Sequence, residues 1–119
     1  MKPRYFHGGN RKLRVGDNIL PPSISGAQRV AGLNNPLSRQ DRAYLTLSID
    51  AARFFASSSD NPIVYEVIPI GDVEPDPDCK VPGVSFACSS ARIIALHKIP
   101  GKVIKKNKKE LRRRAAQLP

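Results

Sequence analysis

Few of the groups that build common catalytic centres are present. Cys79 and Cys88 are the only cysteines, and His7 and His97 the only histidines. No Cys-x-x-Cys occurs, so a metal site is not expected, and the two thiols read as structural or free. Neither Gly-x-x-x-x-Gly-Lys nor Gly-x-Gly-x-x-Gly appears, which removes the usual phosphate-cradling loops. A Gly-x-Ser-x-Gly nucleophile elbow is missing too. No apolar run approaches the roughly 18 residues that cross a bilayer. The opening "MKPRYFHGG" lacks the apolar core of a signal peptide. A soluble, cytoplasmic chain without membrane contact is the expectation.

What is there fits one modest domain: 119 residues, 40% hydrophobic, enough for a single core with long polar loops. The net charge of +10 is unevenly placed. Between residues 102 and 114 lie eight basic residues and one acid, Glu110, so that segment holds +7 of the total. The basicity is therefore mostly an appendage of a nearly balanced domain, and such a run attracts polyanions. A smaller cluster, Lys2, Arg4, Arg11, Lys12 and Arg14, flanks His7.

Along the chain, residues 3–7 read as a strand ended by the Gly8-Gly9 pair, and residues 13–17 as a second extended piece closed by a turn. Residues 21–42, with Pro21-Pro22 and Asn34-Asn35-Pro36, form a long loop. Residues 43–48 alternate as a half-buried strand. Ser48 suits an N-cap and Asp50 the first helical turn. The helix that follows presents Ala51, Phe54 and Phe55 at helical spacing, until Asp60-Asn61-Pro62 breaks it. Residues 63–70 are a β-branched strand. The loop at 71–82 carries Asp72, Glu74, Asp76 and Asp78, and its three prolines argue against regular structure and against a calcium loop. A last strand covers 91–99. The basic segment reads as a helix from about Lys105, with Leu111, Ala115 and Leu118 on one face. The architecture is α+β.

The order of these features is more informative than any one of them. Phe6-His7-Gly8, Val15-Gly16-Asp17, the strand at 43–48, Tyr65 to Gly71, Glu74 to Asp78 and Pro82 to Leu96 follow one another. That series resembles the ADP-ribosyltransferase superfamily, most closely the small rifamycin ADP-ribosyltransferases, over most of residues 5–97. Gly9 stands where the family usually has threonine. The resemblance implies a compact fold of two small packed antiparallel sheets with one or two helices, over residues 1–101. Residues 102–119 would be a basic tail.

It also implies NAD as substrate and no metal. His7 would hydrogen-bond a ribose of NAD⁺, the Gly8 main chain would lie beside the carboxamide, and Tyr44 would stack on the nicotinamide ring. Asp76 aligns best with the family's aspartate, with Glu74 and Asp78 as alternatives. A fixed carboxylate stabilises the cation that develops on a ribose as its leaving group departs. An imidazole and a stacked ring supply orientation. Arg11, Lys12 and Arg14 would attract the phosphates. The acceptor of ADP-ribose, whether a rifamycin-like small molecule, a protein or a nucleic acid, stays open, as does a toxin that hydrolyses NAD⁺. The rival reading is a non-catalytic nucleic-acid-binding or virion-associated protein that acts through its basic segment.

Overall fold

The computed structural model describes residues 3–21, 42–76 and 85–117. Among them are seven strands and two helices: β1 (Tyr5–Asn10), β2 (Asn18–Ile19), β3 (Ala43–Thr46), α1 (Ile49–Ala56), β4 (Pro62–Ile70), β5 (Glu74–Pro75), β6 (Ser85–Cys88), β7 (Ser90–His97) and α2 (Gly101–Ala116). All strand pairs are antiparallel, in the order β2-β7-β4-β1-β3-β6-β5. The fold is α+β.

The strands form one hydrogen-bonded order, which corrects the expectation of two separate sheets. The bridge between the halves is narrow, because β1 pairs β3 through Phe6↔Thr46 alone among the described residues. The sheet nevertheless closes over itself. Ala43 and Leu45 of β3 and Cys88 of β6 share a buried cluster with Ile63, Tyr65 and Val67 of β4 and Ala91 and Ile93 of β7. Strands that are not ladder neighbours can share such a cluster only if the two halves face each other across it. A single residue, Ser89, carries the chain from β6 in one half to β7 in the other. The Cys88 thiol is buried at that corner, 3.2 Å from the Ser90 carbonyl, and burial raises its pKa.

The outer face of β1 and β4 carries the helices. Phe6, Val64 and Ile99 form a second cluster with Ala52 and Ala56 of α1, and Ile49, Val103 and Ile104 pack against it. Ser48 caps α1 as expected, its Oγ accepting from the Ala51 N–H at 3.1 Å. The buried stripe of α1 is Ala52 and Ala56, where the sequence pattern points to Ala51, Phe54 and Phe55; Phe55 is exposed.

The reason is Gly8. The glycine pair does not end β1: Gly8 and Gly9 stay in the ladder opposite Val64 and Ile63, and neither has a positive φ. A Cβ on residue 8 would lie 2.0 Å from the Ala52 carbonyl oxygen and 2.9 Å from the Ala56 nitrogen. The helix main chain thus rests directly on β1, and only small residues fit between them.

Three other expectations shift. Residues 74–75 form the short strand β5 despite the prolines, because β5 is a sheet edge, where a missing N–H is tolerated. The extended piece near 13–17 is a loop, and the ladder begins at Asn18. The strand β6 was unmarked in the sequence, since four residues are too few for a clear period. Residues 22–41 and 77–84, with Asp78 and Cys79, lie outside the described residues.

The basic segment starts its helix at Gly101 and lies against the domain. Val103 and Ile104 join the helix-side cluster, Leu111 is buried, and Asn107 Nδ2 donates to Ser57 Oγ at 3.3 Å. The Arg114 guanidinium stacks 4.7 Å from the Phe54 ring centroid. Ala115, expected on the packed face, is exposed, and Leu118 lies outside the described residues. None of the helices among the described residues is long and apolar enough to cross a membrane.

Gly8→Ala should lower the stability by about 2–3 kcal/mol or more, because main chain must move to admit the methyl group. Gly9→Ala should change it by less than about 1 kcal/mol, since its Cβ would have no heavy atom nearer than 3.6 Å. Urea unfolding of the two variants checks this contrast; equal losses would remove the proposed reason for Gly8.

Candidate functional site

Alternation along β1 decides which way each side chain looks. Phe6 and Gly8 face the helices, so Tyr5, His7 and Gly9 face the side occupied by the main core. His7 accordingly stacks on Tyr65, with ring centroids 6.4 Å apart and 30° between the planes. Its Nδ1 lies 2.8 Å from the Tyr44 carbonyl oxygen. A carbonyl only accepts, so Nδ1 carries the proton, and the neutral ring keeps its lone pair on Nε2. This contact sits just past the single pair Phe6↔Thr46, where the β1–β3 ladder gives way and a side chain takes the place of a ladder partner.

Desolvation by burial lowers the His7 pKa from its ordinary 6.5, and the carbonyl hydrogen bond opposes the shift only in part. The ring is therefore neutral at physiological pH and acts as a hydrogen-bond acceptor at Nε2. A Cβ on residue 9 would stand 3.6 Å from Nε2. Gly9 keeps that edge of the ring clear.

Beyond the Tyr65 ring on which His7 stacks, the loop from Arg11 to Val15 borders an open groove with Leu96. Tyr65, fully buried, holds this loop by its hydroxyl. Its oxygen accepts from the N–H groups of Lys12 at 3.1 Å and Leu13 at 3.3 Å, and its proton goes to the Asn10 carbonyl at 2.5 Å. Asp17 Oδ2 closes the far end by accepting from the Arg14 N–H at 2.8 Å. The side chains of Arg11, Lys12 and Arg14 are exposed, and no acidic partner engages them among the described residues. A fixed main chain with free cations on it is a suitable place for an anion.

The acidic candidates lie on the other half of the sheet. Register places Tyr44, Ala87 and Glu74 in one row. Thr46 and Ser85 stand in the next, and the Asp76 N–H donates to the Ser85 carbonyl at 3.0 Å. Opposed residues share a face, so Tyr44, Glu74 and Asp76 look to one side and His7 to the other. The Asp76 Oδ2 accepts from Ser85 Oγ at 2.9 Å. Glu74 pairs with Arg42 at 3.5 Å. In ladder order Asp76 stands three strands from β1, roughly 14 Å along a flat sheet. The structure thus joins His7 to Tyr44 through the main chain, sets Gly8 against α1, and leaves Asp76 at the far edge; Asp78 lies outside the described residues. Tyr65 is the contributor that the sequence pattern did not single out. Its signal was available, because a tyrosine in a buried strand needs a partner for its hydroxyl.

A separate ion network holds the helix side of the sheet. Glu66 receives Arg4 through two hydrogen bonds of 2.7 and 3.2 Å, and His97 Nε2 lies 2.8 Å from its Oε1. The Arg4 guanidinium, then His97, pull the Glu66 pKa down to about 2. This network ties Arg4, just before β1, to β4 and β7 and is structural. No group of three or more His, Cys, Asp or Glu side chains is placed to hold a metal among the described residues.

No family model matches the sequence, and no curated protein matches it. The functional reading therefore rests on the residues and their geometry.

Tyr65→Phe should destabilise the fold by about 1–3 kcal/mol, chiefly the cost of the Leu13 N–H left without its partner, since the Lys12 N–H and the Asn10 carbonyl keep their bond to each other. Hydrogen exchange at the Lys12 and Leu13 amides should speed up with it. Unchanged exchange at both amides would contradict the anchoring role of the hydroxyl.

Proposed function

We propose that the chain is an NAD-dependent mono-ADP-ribosyltransferase. The observation that carries the reading is the state of His7: Nδ1–H fixed on the Tyr44 carbonyl, which leaves Nε2 as the acceptor, with exposed cations on the loop held by the hydroxyl of its stacking partner Tyr65. An acceptor nitrogen suits a ribose hydroxyl, and the cations of Arg11, Lys12 and Arg14 suit the pyrophosphate. The ordered resemblance of residues 5–97 to the rifamycin ADP-ribosyltransferases supports the same assignment.

In this reaction the bond between ribose C1′ and the nicotinamide nitrogen breaks, and its electron pair stays on nicotinamide, which leaves neutral. The acceptor nucleophile bonds to C1′ and releases a proton. His7 orients the ribose and need not titrate, in keeping with its lowered pKa. Tyr44 supplies the ring assigned to the nicotinamide. Asp76 is the carboxylate assigned to the developing cation, with Glu74 as an alternative.

Release of nicotinamide from labelled NAD⁺ tests this, first with the protein alone and then with a rifamycin, lysate protein or nucleic acid as acceptor. His7→Ala and Asp76→Asn should each slow release by about 10²-fold or more, the usual cost of removing a positioned group or a charge stabiliser. Binding of NAD⁺ should be level at neutral pH and above, and should weaken only as pH falls through a range below the ordinary 6.5, where protonation removes the Nε2 acceptor. An absence of release with every acceptor, or release unaffected by His7→Ala, would defeat the proposal.

A further inference from the structure

We propose that the outer face of α2 is a docking surface for the phosphate backbone of duplex nucleic acid. This inference is independent of the activity proposed above. At 100° per residue, Lys102, Lys105, Lys106, Lys109 and Arg112 fall within an arc of about 120°, opposite the stripe of Val103, Asn107 and Leu111 that seats the helix. All five are exposed, and no acid engages them among the described residues. The one acid of the helix, Glu110, is consumed by Arg113 and Arg114, which hold its pKa down at about 2. The helix that carries the cations is held in place. Val103, Ile104, Leu111, the Asn107–Ser57 hydrogen bond and the Arg114–Phe54 stack fasten it to the domain, so the five stems rise from a fixed main chain.

The dimensions suit a duplex. From Lys102 to Arg112 the helix rises about 15 Å, a length over which each strand of B-form DNA presents about four or five phosphates at 3.4 Å per step. Five cations on one helix face oppose that run. Two other polyanions fit less well. An anionic membrane recruits a helix by an apolar face as well as by charge, and the large apolar residues of α2, Val103, Ile104 and Leu111, are already packed on the domain. A single strand is gripped by aromatic side chains that stack on bases, and residues 101–116 contain no aromatic residue. Contacts limited to phosphates carry no sequence preference.

The test is fluorescence anisotropy with the full chain and a labelled mixed-sequence DNA duplex about two turns long. The single strand of the same sequence and vesicles containing phosphatidylserine run alongside. The duplex should bind most tightly, with affinity falling as salt rises. The triple variant Lys105→Gln/Lys109→Gln/Arg112→Gln should lower the slope of log K against log salt by about 2.7, at roughly 0.9 for each phosphate no longer neutralised. Changing Lys105 and Lys109 to arginine should preserve binding, and the thermal midpoints of both variants should match the parent. Undiminished binding by the glutamine variant, preference for the single strand, capture by vesicles in place of the duplex, or no binding at all would each overturn the proposal.

Discussion

Strand β1 and helix α1 meet main chain to main chain, and much else in the molecule is set by that contact. Gly8 has no side chain to hold the helix off, so Ala52 and Ala56 come down onto the strand. Once Gly8 and Phe6 are committed to the helix side, alternation leaves His7 no choice but the opposite face, against Tyr65 and beside the gap in the β1–β3 ladder. The helix in turn supplies Phe54, and the residue that caps its end, Ser57, completes the seat for α2. One missing Cβ thus orients the candidate imidazole and, at one remove, the basic helix.

The long, strongly patterned elements were legible from residues alone. The β-branched run of β4 and the serine cap of α1 needed only local rules. What was not legible depended on partners distant in sequence. The glycine pair looks like a strand end until a helix is known to press on it. Phe54 and Phe55 look like the buried face of α1 until the space beneath is seen to admit only alanine; Phe54 then serves as the platform for Arg114. Proline looks like a veto on β5 until that strand proves to be an edge.

The candidate site was legible to a similar degree. Ordered motifs pointed to His7 and Tyr44, and the fold puts the imidazole on the Tyr44 main chain. They could not reveal that Tyr44, Glu74 and Asp76 look to the other side of the sheet, because the parity of a residue becomes a direction only when register is known. Charge divides in the same way. A count locates the cations, but only packing separates Arg4, locked on Glu66, from Lys105 and Lys109, which are exposed with no acid against them among the described residues.

The central claim is that His7 offers an unprotonated Nε2 to a ribose hydroxyl, and imidazole nitrogen NMR measures that directly. Near neutral pH the His7 ring should appear as the Nδ1–H tautomer, and addition of NAD⁺ should move the Nε2 resonance while leaving His97 unchanged. An Nε2–H tautomer, with both His7 resonances indifferent to NAD⁺, would contradict the account.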